Sequence, residues 1–477
     1  MIILFLGREP PQQSKFKEHA INPEELGFEF KEKKSLPPLP LKPETGKLGM
    51  RIRLISNYFP LQVPSGNVYH YDVEIISKGR SITTKPVPKE PLQKSEGKKD
   101  KDTKYRCMNT KRNREIINHH MLNSQDFRDH YAAYDGKKNM YTRNPLSISD
   151  ELKRTVVMPD DDSNPENPTF EIFEVFIKPV QKKETNNCSV SLDPLHALFA
   201  GRVKSVPQEA VMALETILRH GPCMRYYPVG RSFFYPPDPQ HVTPLGGGKE
   251  IWFGYHQSLR LGQWKPVVNL DITATTFYEK GPLLNYVKDI LQVRDLNTVA
   301  SLRDSDTKKL SKELKNMRIQ ATHLNYGRKY RILRFSMQSA NSLSFSRTVN
   351  GQQINQTVAQ YFASVYEPLQ YPHLPCVQAN PETKKVYLPI EVCEVIEGQH
   401  CKKKLEDRQN AEMIKFTARA PKQRFDEIAD IFKRANFNQD RLLNGFGIKV
   451  SAKPLALEGR VIEAPNVRYQ NETSVKP

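Results

Sequence analysis

The 477-residue chain carries 72 lysines and arginines against 53 acidic residues, a net charge of +19 and an isoelectric point near 9.4. That excess favours a polyanionic partner, through long-range attraction and counterion release, although an incidental charge surplus is the competing reading. An apolar content of 38% in a chain long enough for roughly three domains suits several modest cores better than one large one. No apolar run is long enough to span a bilayer, and the opening Ile2-Ile3-Leu4-Phe5-Leu6 run is too short for a signal-peptide core, which predicts a soluble cytoplasmic protein with no membrane partner. Cys107, Cys188, Cys223, Cys376, Cys393 and Cys401 are scattered without a C-x-x-C pair, so neither a zinc knuckle nor a disulfide framework is expected.

Residues 1–48 are rich in Pro, Lys and Glu and lack sustained periodicity, reading as a flexible leader. Residues 51–54 alternate, and 69–75 alternate more clearly, with Tyr71, Val73 and Ile75 on one face; together they predict the start of a half-buried sheet. The charged segment 94–104 reads as a solvated insertion. A strand over 170–177 precedes a helix over 207–220, with Val211, Leu214 and Leu218 on one stripe and Gly221-Pro222 expected to stop it. Leu284, Val287 and Leu291 mark a helix between 281 and 292, a domain boundary is placed at 278–281, and the polar stretch 294–313 reads as a surface connection. Between 317 and 395, strands at 330–335 and 386–390 surround an amphipathic helix at 357–366, the pattern of a small β-barrel with an inserted helical element. Ile428, Ile431, Phe432 and Ala435 predict a helix over 426–435, and the sequence turns polar after Arg460.

There is no H-E-x-x-H, no G-x-S-x-G and no acidic cluster of the kind that clamps two metal ions, so no catalytic residue, metal or cofactor is assigned. Leu245-Gly246-Gly247-Gly248-Lys249-Glu250 has the glycines of a phosphate cradle but lacks the G-K-[ST] ending, and it reads as a structural turn. His373, in Tyr371-Pro372-His373-Leu374-Pro375, reads as a packing residue. The densest chemical signal is the interleaving of Tyr326, Arg328, Lys329, Tyr330, Arg331, Arg334 and Phe345 between His323 and Tyr387. Flat rings stack on bases of any identity, at roughly 1–3 kcal/mol each, while cations and hydroxyls grip phosphates, a combination suited to single strands. A barrel core with solvated cations explains the same residues equally well.

Several stretches resemble the Argonaute proteins of RNA silencing. Met224-Arg225-Tyr226-Tyr227-Pro228-Val229-Gly230-Arg231-Ser232-Phe233-Phe234 and Pro244-Leu245-Gly246-Gly247-Gly248-Lys249-Glu250-Ile251-Trp252-Phe253-Gly254-Tyr255-His256-Gln257-Ser258 resemble that family's first linker. Tyr69-His70-Tyr71 and Asp135-Gly136-Lys137-Lys138-Asn139-Met140-Tyr141 resemble its N domain. Thr357-Val358-Ala359-Gln360-Tyr361-Phe362, Tyr371-Pro372-His373-Leu374-Pro375-Cys376 and Tyr387-Leu388-Pro389-Ile390-Glu391-Val392-Cys393 resemble its PAZ domain. Ala435-Asn436-Phe437-Asn438 with Phe446-Gly447-Ile448 resembles its second linker.

The resemblance implies a multidomain α+β chain: a leader at 1–48, an N domain at 49–200, a first linker at 201–280, a PAZ domain at 281–400, and a second linker with tail at 401–477. The PAZ domain would be an OB-like β-barrel with an inserted hairpin-helix element. The implied partner is a small guide RNA (siRNA or miRNA), its 3′ end held between barrel and insert, with silencing-complex loading proteins as further partners. By motif, His323, Tyr330, Tyr361 and Tyr366 would hydrogen-bond the terminal phosphate linkage, and Phe345 would cover the last nucleoside. Tyr387 and Leu388 would line the base of the pocket, and Arg328, Lys329 and Arg331 would support the phosphates. A tyrosine suits such a pocket because its hydroxyl donates to phosphate without demanding a base, while its ring excludes water.

Helical spacing groups Tyr361 with Val358 and Val365, and Tyr366 with Phe362, which leaves one aromatic of each pair open to a core role. Two features depart from the family pattern: Ala363-Ser364-Val365 lacks the lysines many relatives carry, and the loop from His323 to Tyr330 is one residue short. The sequence ends at Pro477, where the MID and PIWI domains of an Argonaute would begin, so no slicer centre and no enzymatic activity are expected of it. Two other readings are the N-terminal part of a full Argonaute endonuclease and a non-catalytic competitor for silencing partners.

Overall fold

The computed structural model describes residues 47–81, 110–127, 130–181, 187–262, 264–298, 302–349, 352–379, 386–465, 467–468 and 474–475. The expected leader, apart from its last two residues, and the charged insertion at 94–104 lie outside the described residues. Two compact units divide the chain, one formed by Met1–Ser56 with Leu455–Pro477 and the other by Asn57–Pro454.

In the smaller unit, the strand Met50–Ile55 pairs antiparallel with Ala456–Val461, running from Met50 opposite Val461 to Ile55 opposite Ala456. The alternation at 51–54 does mark a strand, but one whose side chains are exposed or half-buried. It does not open the sheet that contains 69–75, because its partner lies at the far end of the sequence, a pairing that local periodicity cannot reveal.

Among the described residues, the larger unit holds three six-stranded sheets and one two-stranded hairpin sheet. The first runs in the order Ala132–Tyr134, Asn139–Thr142, Asn67–Ser81, Phe170–Pro179, Leu152–Pro159. Its inner face, with Tyr71, Val73, Met140, Phe173, Val175 and Ile177, packs with Ile116 and Ile117 of the helix Thr110–Asn123. Tyr71 and Val73 are buried as expected, and Ile75 is half-buried beside them.

A second sheet is built on the long hairpin of Lys249–Leu261 and Pro266–Tyr278, flanked on one side by Tyr58–Gln62 and Lys449–Val450 and on the other by Ser232–Phe234 and Tyr227–Val229. Its core takes in one face of the helix Gln208–Arg225, through Ala210, Ala213, Leu214, Ile217 and Leu218, together with Ile428, Ile431 and Ala435 of the helix Pro421–Ala435. The expected stop at Gly221-Pro222 does not occur; the helix continues through Pro222 to Arg225. Proline normally breaks a helix by withdrawing an N–H and orphaning the carbonyl four residues earlier. Here that carbonyl, on Leu218, accepts instead from the buried Gln257 Nε2 at 3.0 Å.

The third sheet is a curled antiparallel one in the order Gly281–Pro282, Cys393–Val395, Arg318–Ala321, Lys329–Ser339, Pro375–Ala379, Val386–Pro389. Register shifts between Ile332 and Arg334 and again between Phe335 and Ser339 bend its longest strand, as bulges do. The helix Leu283–Leu291 covers it with Leu283, Tyr286 and Val287. The segment 294–313, expected as a surface connection, contains most of a second covering helix, Asp304–Leu314, which buries Thr307, Leu310 and Leu314. Between Ser339 and Pro375 the chain leaves the sheet to form the hairpin Ser344–Val349 with Gln352–Thr357 and then the helix Val358–Val365. The α+β architecture, with a curled β domain carrying an inserted hairpin and helix, is as expected. No helix of the described residues is long and apolar enough to cross a membrane.

Candidate nucleic-acid interface

The inserted helix starts abruptly, and its start fixes the site. Thr357 Oγ1 accepts from the Gln360 N–H at 3.2 Å while Gln360 Oε1 accepts from the Thr357 N–H at 2.9 Å, a reciprocal cap that satisfies two amides the helix leaves unpaired. The Val358 and Ala359 N–H groups donate to the carbonyls of Leu343 and Ala340, each at 3.0 Å, pinning the first turn to the chain that leaves the sheet. Val358 and Phe362 point inward to a small core with Ala340 and Cys376. That orientation leaves Tyr361 half-buried and Tyr366, just past the last turn, 37% exposed. Beyond the helix, the Glu391 carboxylate accepts from the N–H groups of Gln370 and Tyr371 at 2.8 and 3.2 Å, tying the return loop down.

A chain of rings results. The His323 ring meets the edges of Tyr366 at 4.8 Å and Phe362 at 5.1 Å. Tyr366 lies 6.0 Å from Tyr361, and Tyr361 lies 5.6 Å from Phe345, which is 37% exposed on the hairpin. Arg347, two residues beyond Phe345 on the same strand and therefore on the same face, sets its guanidinium 5.2 Å from the Tyr361 ring centre. Burial holds the His323 imidazole below its usual pKa, so it is neutral at neutral pH, and its buried Nδ1 has no hydrogen-bond partner among the described residues. Burial, then the neighbouring Tyr361 phenol, pushes the Tyr366 phenol up, with Tyr326 and Tyr330 adding to the effect. The Tyr330 phenol is raised by burial, with the Arg328 guanidinium, 5.5 Å from its ring centre, opposing the shift.

The other expected site residues are distributed differently. Tyr387 packs on the small core beneath the insert, whereas Leu388 points through the sheet into the main apolar core, as strand alternation requires. Lys329 reaches Asp162 at 3.5 Å, and Arg331, exposed on its strand, stands opposite Arg318. Neither is part of the ring chain. His373 Nε2 donates to the Leu296 carbonyl at 3.1 Å, the satisfied contact of the packing residue expected. The glycine loop is likewise a turn: Gln409 Nε2 donates to the Gly246 carbonyl at 3.0 Å, Lys249 Nζ donates to Gln409 Oε1 at 3.1 Å, and Gly248 lies against the Tyr286 ring. A cavity of about 570 Å³, bordered by Pro60, Phe199, Trp264 and Lys449, lies apart from these rings.

Phe362 and Arg347 belong to this cluster although sequence reasoning did not single them out as site residues. Arg347 was legible in one respect, since Phe345-Ser346-Arg347 has the period of two that puts its first and third residues on one face of a strand.

A curled β domain with a hairpin and a capped helix inserted beside an exposed aromatic shelf defines a PAZ-type domain, and the family model of the PAZ domain matches residues 284–414. The N-terminal domain of argonaute matches 50–218, the Argonaute linker 1 domain 228–279 and the Argonaute linker 2 domain 423–469. With the four matches following one another along the chain, the protein belongs to the Argonaute family. Among solved structures, Kluyveromyces polysporus Argonaute with a guide RNA is similar at 15% identity and a TM-score of 0.53, over 90% of this chain and 47% of that one. Drosophila Piwi is similar at 18% identity and a TM-score of 0.40, over 90% and 46%. The Drosophila Argonaute 2 PAZ domain is similar at 29% identity and a TM-score of 0.22, over 25% of this chain and 97% of that one. The chain spans about half the length of the Argonaute and Piwi structures it matches.

Proposed function

We propose that this protein binds single-stranded guide RNA of the silencing class, siRNA or miRNA, and anchors its 3′-terminal nucleotides on the shelf between barrel and insert. The observation that carries this reading is the run of rings from His323 through Tyr366 and Tyr361 to Phe345, partly open, inside a PAZ domain. Rings at this spacing stack on bases and ribose whatever the sequence, and the phenols of Tyr330, Tyr361 and Tyr366 offer donors to a phosphate linkage. Tyr387 supports the shelf from below, Leu388 braces it from the barrel core, and Arg328 adds positive charge at Tyr330. Lys329 and Arg331 contribute to the wider field of the basic chain rather than to the shelf.

In this reading the chain holds a guide and does not itself cut. The test is fluorescence anisotropy with short single-stranded RNA carrying either a free 3′ end or a bulky 3′ block. Weaker binding of the blocked strand supports the assignment, and guide-directed cleavage by the purified chain contradicts the non-catalytic part of it.

A further inference from the structure

Three observations meet at Tyr361. The helix that carries it offers no cation to a phosphate, because the residues that follow Phe362 before Tyr366 are Ala363, Ser364 and Val365. Arg347 comes in from the hairpin, half-buried, and sets its guanidinium over the Tyr361 ring, 5.2 Å from the ring centre. No carboxylate of the described residues lies within ion-pair distance of it, in contrast to Lys329, Arg419 and Arg424, which are paired with Asp162, Glu427 and Asp271.

A guanidinium held over a tyrosine face by its charge still offers its N–H donors, and their fork matches two oxygens of a phosphate. The ring beneath it fixes the orientation, so less side-chain freedom is lost when an anion arrives. Phe345, on the same face of the same strand, lies 5.6 Å from the same Tyr361 ring, so one strand presents both a ring and a cation.

Resting on the 3′-end reading above, we infer that Arg347 is a phosphate-binding cation of this pocket, delivered to Tyr361 by the hairpin where the helix supplies none. The pocket's grip at Tyr361 then depends on the hairpin, as Arg328 serves Tyr330. A strand that docks its terminal phosphate linkage ties hairpin to helix through Arg347 and Tyr361.

The experiment compares the wild-type protein with Arg347→Gln and Arg347→Lys, using a single-stranded RNA with a free 3′ end and the same strand with a neutral methylphosphonate at its last linkage. Arg347→Gln should weaken binding of the natural strand roughly tenfold and lower the slope of log affinity against log salt by about 0.7, one counterion for a single strand. Arg347→Lys should keep the slope while recovering only part of the affinity. The methylphosphonate strand should bind wild type and Arg347→Gln alike.

If Arg347→Gln changes neither affinity nor slope while Tyr361→Ala weakens binding of free but not blocked ends, the pocket stands and Arg347 is only a packing residue. If wild type does not distinguish free from blocked 3′ ends, the pocket reading fails and the inference fails with it. Unfolding midpoints matched across the three proteins exclude a folding defect, and a variant that fails that control is replaced by Arg347→Met, which keeps the stem over the ring.

Discussion

Replacing Gln257 by leucine removes the donor that serves the Leu218 carbonyl, which Pro222 has left without its helical partner. The amide oxygen Oε1 of Gln257 is itself buried without a partner among the described residues, so the leucine relieves one unpaired atom while creating another. An unpaired buried carbonyl costs about 1–3 kcal/mol, and that relief puts the expected loss near 1–2 kcal/mol. Trp252 lies on the same strand as Gln257, fully buried, its indole N–H donating to Glu250 Oε1 at 2.6 Å. The only other tryptophan, Trp264, is 58% exposed, so the emission change on unfolding in urea reports this sheet. With a slope of about 1–3 kcal/mol per molar urea, the midpoint should fall by roughly 0.3–2 M. Pro222→Ala restores an N–H that can donate to Leu218 along the helix, so in that background Gln257→Leu should lose most of its effect. An equal cost in both backgrounds would refute the explanation of how the helix passes Pro222.

Gly248 has φ +67° and its missing Cβ would run into the Tyr286 ring, so Gly248→Ala should destabilise the protein by about 2 kcal/mol or more; an unchanged urea midpoint would show that the loop is looser than described. His70, His220, His256, His323 and His400 all have imidazole pKa values lowered, each chiefly by burial. Above the unfolded value of about 6.5 they are neutral in both states and add no pH dependence, whereas below it the unfolded chain takes up protons first, costing up to about 1.4 kcal/mol per unit per imidazole. The midpoint should therefore be level from pH 8 to 7 and fall between 6.5 and 5, and a midpoint that rises on acidification would contradict the burial of these rings. Tyr361→Phe should weaken RNA binding by about 0.5–1.5 kcal/mol, the worth of one hydrogen bond, without moving the unfolding midpoint; no change in affinity would return Tyr361 to the core.

Local pattern carried the helix that matters most: residues 357–366 read as amphipathic, and Val358–Val365 forms with Val358 and Phe362 inward. It also carried the strands at 69–75, 170–177 and 330–335, which form within Asn67–Ser81, Phe170–Pro179 and Lys329–Ser339. The helix Asp304–Leu314 was hidden because only Thr307, Leu310 and Leu314 of its residues are buried, among lysines and acids that read as solvated. Gln257 could not be tied to Pro222 from sequence, since a tertiary hydrogen bond rather than local propensity decides that the helix continues. The hairpin Ser344–Val349 with Gln352–Thr357 was obscured by serines and asparagines, although Asn350-Gly351 between the strands is a strong hairpin signal. The resemblance implies an inserted hairpin without placing its strands, so Arg347 does not stand out, and its place over Tyr361 is a tertiary fact.

The central claim is that a free 3′ end is what the aromatic shelf holds. The most direct measurement is the affinity of the purified chain for one single-stranded RNA with its 3′ end free and with that end bulkily blocked, at fixed salt. The block should weaken binding and Tyr361→Phe should narrow the difference; equal affinity for free and blocked ends would contradict the proposed 3′-end anchoring.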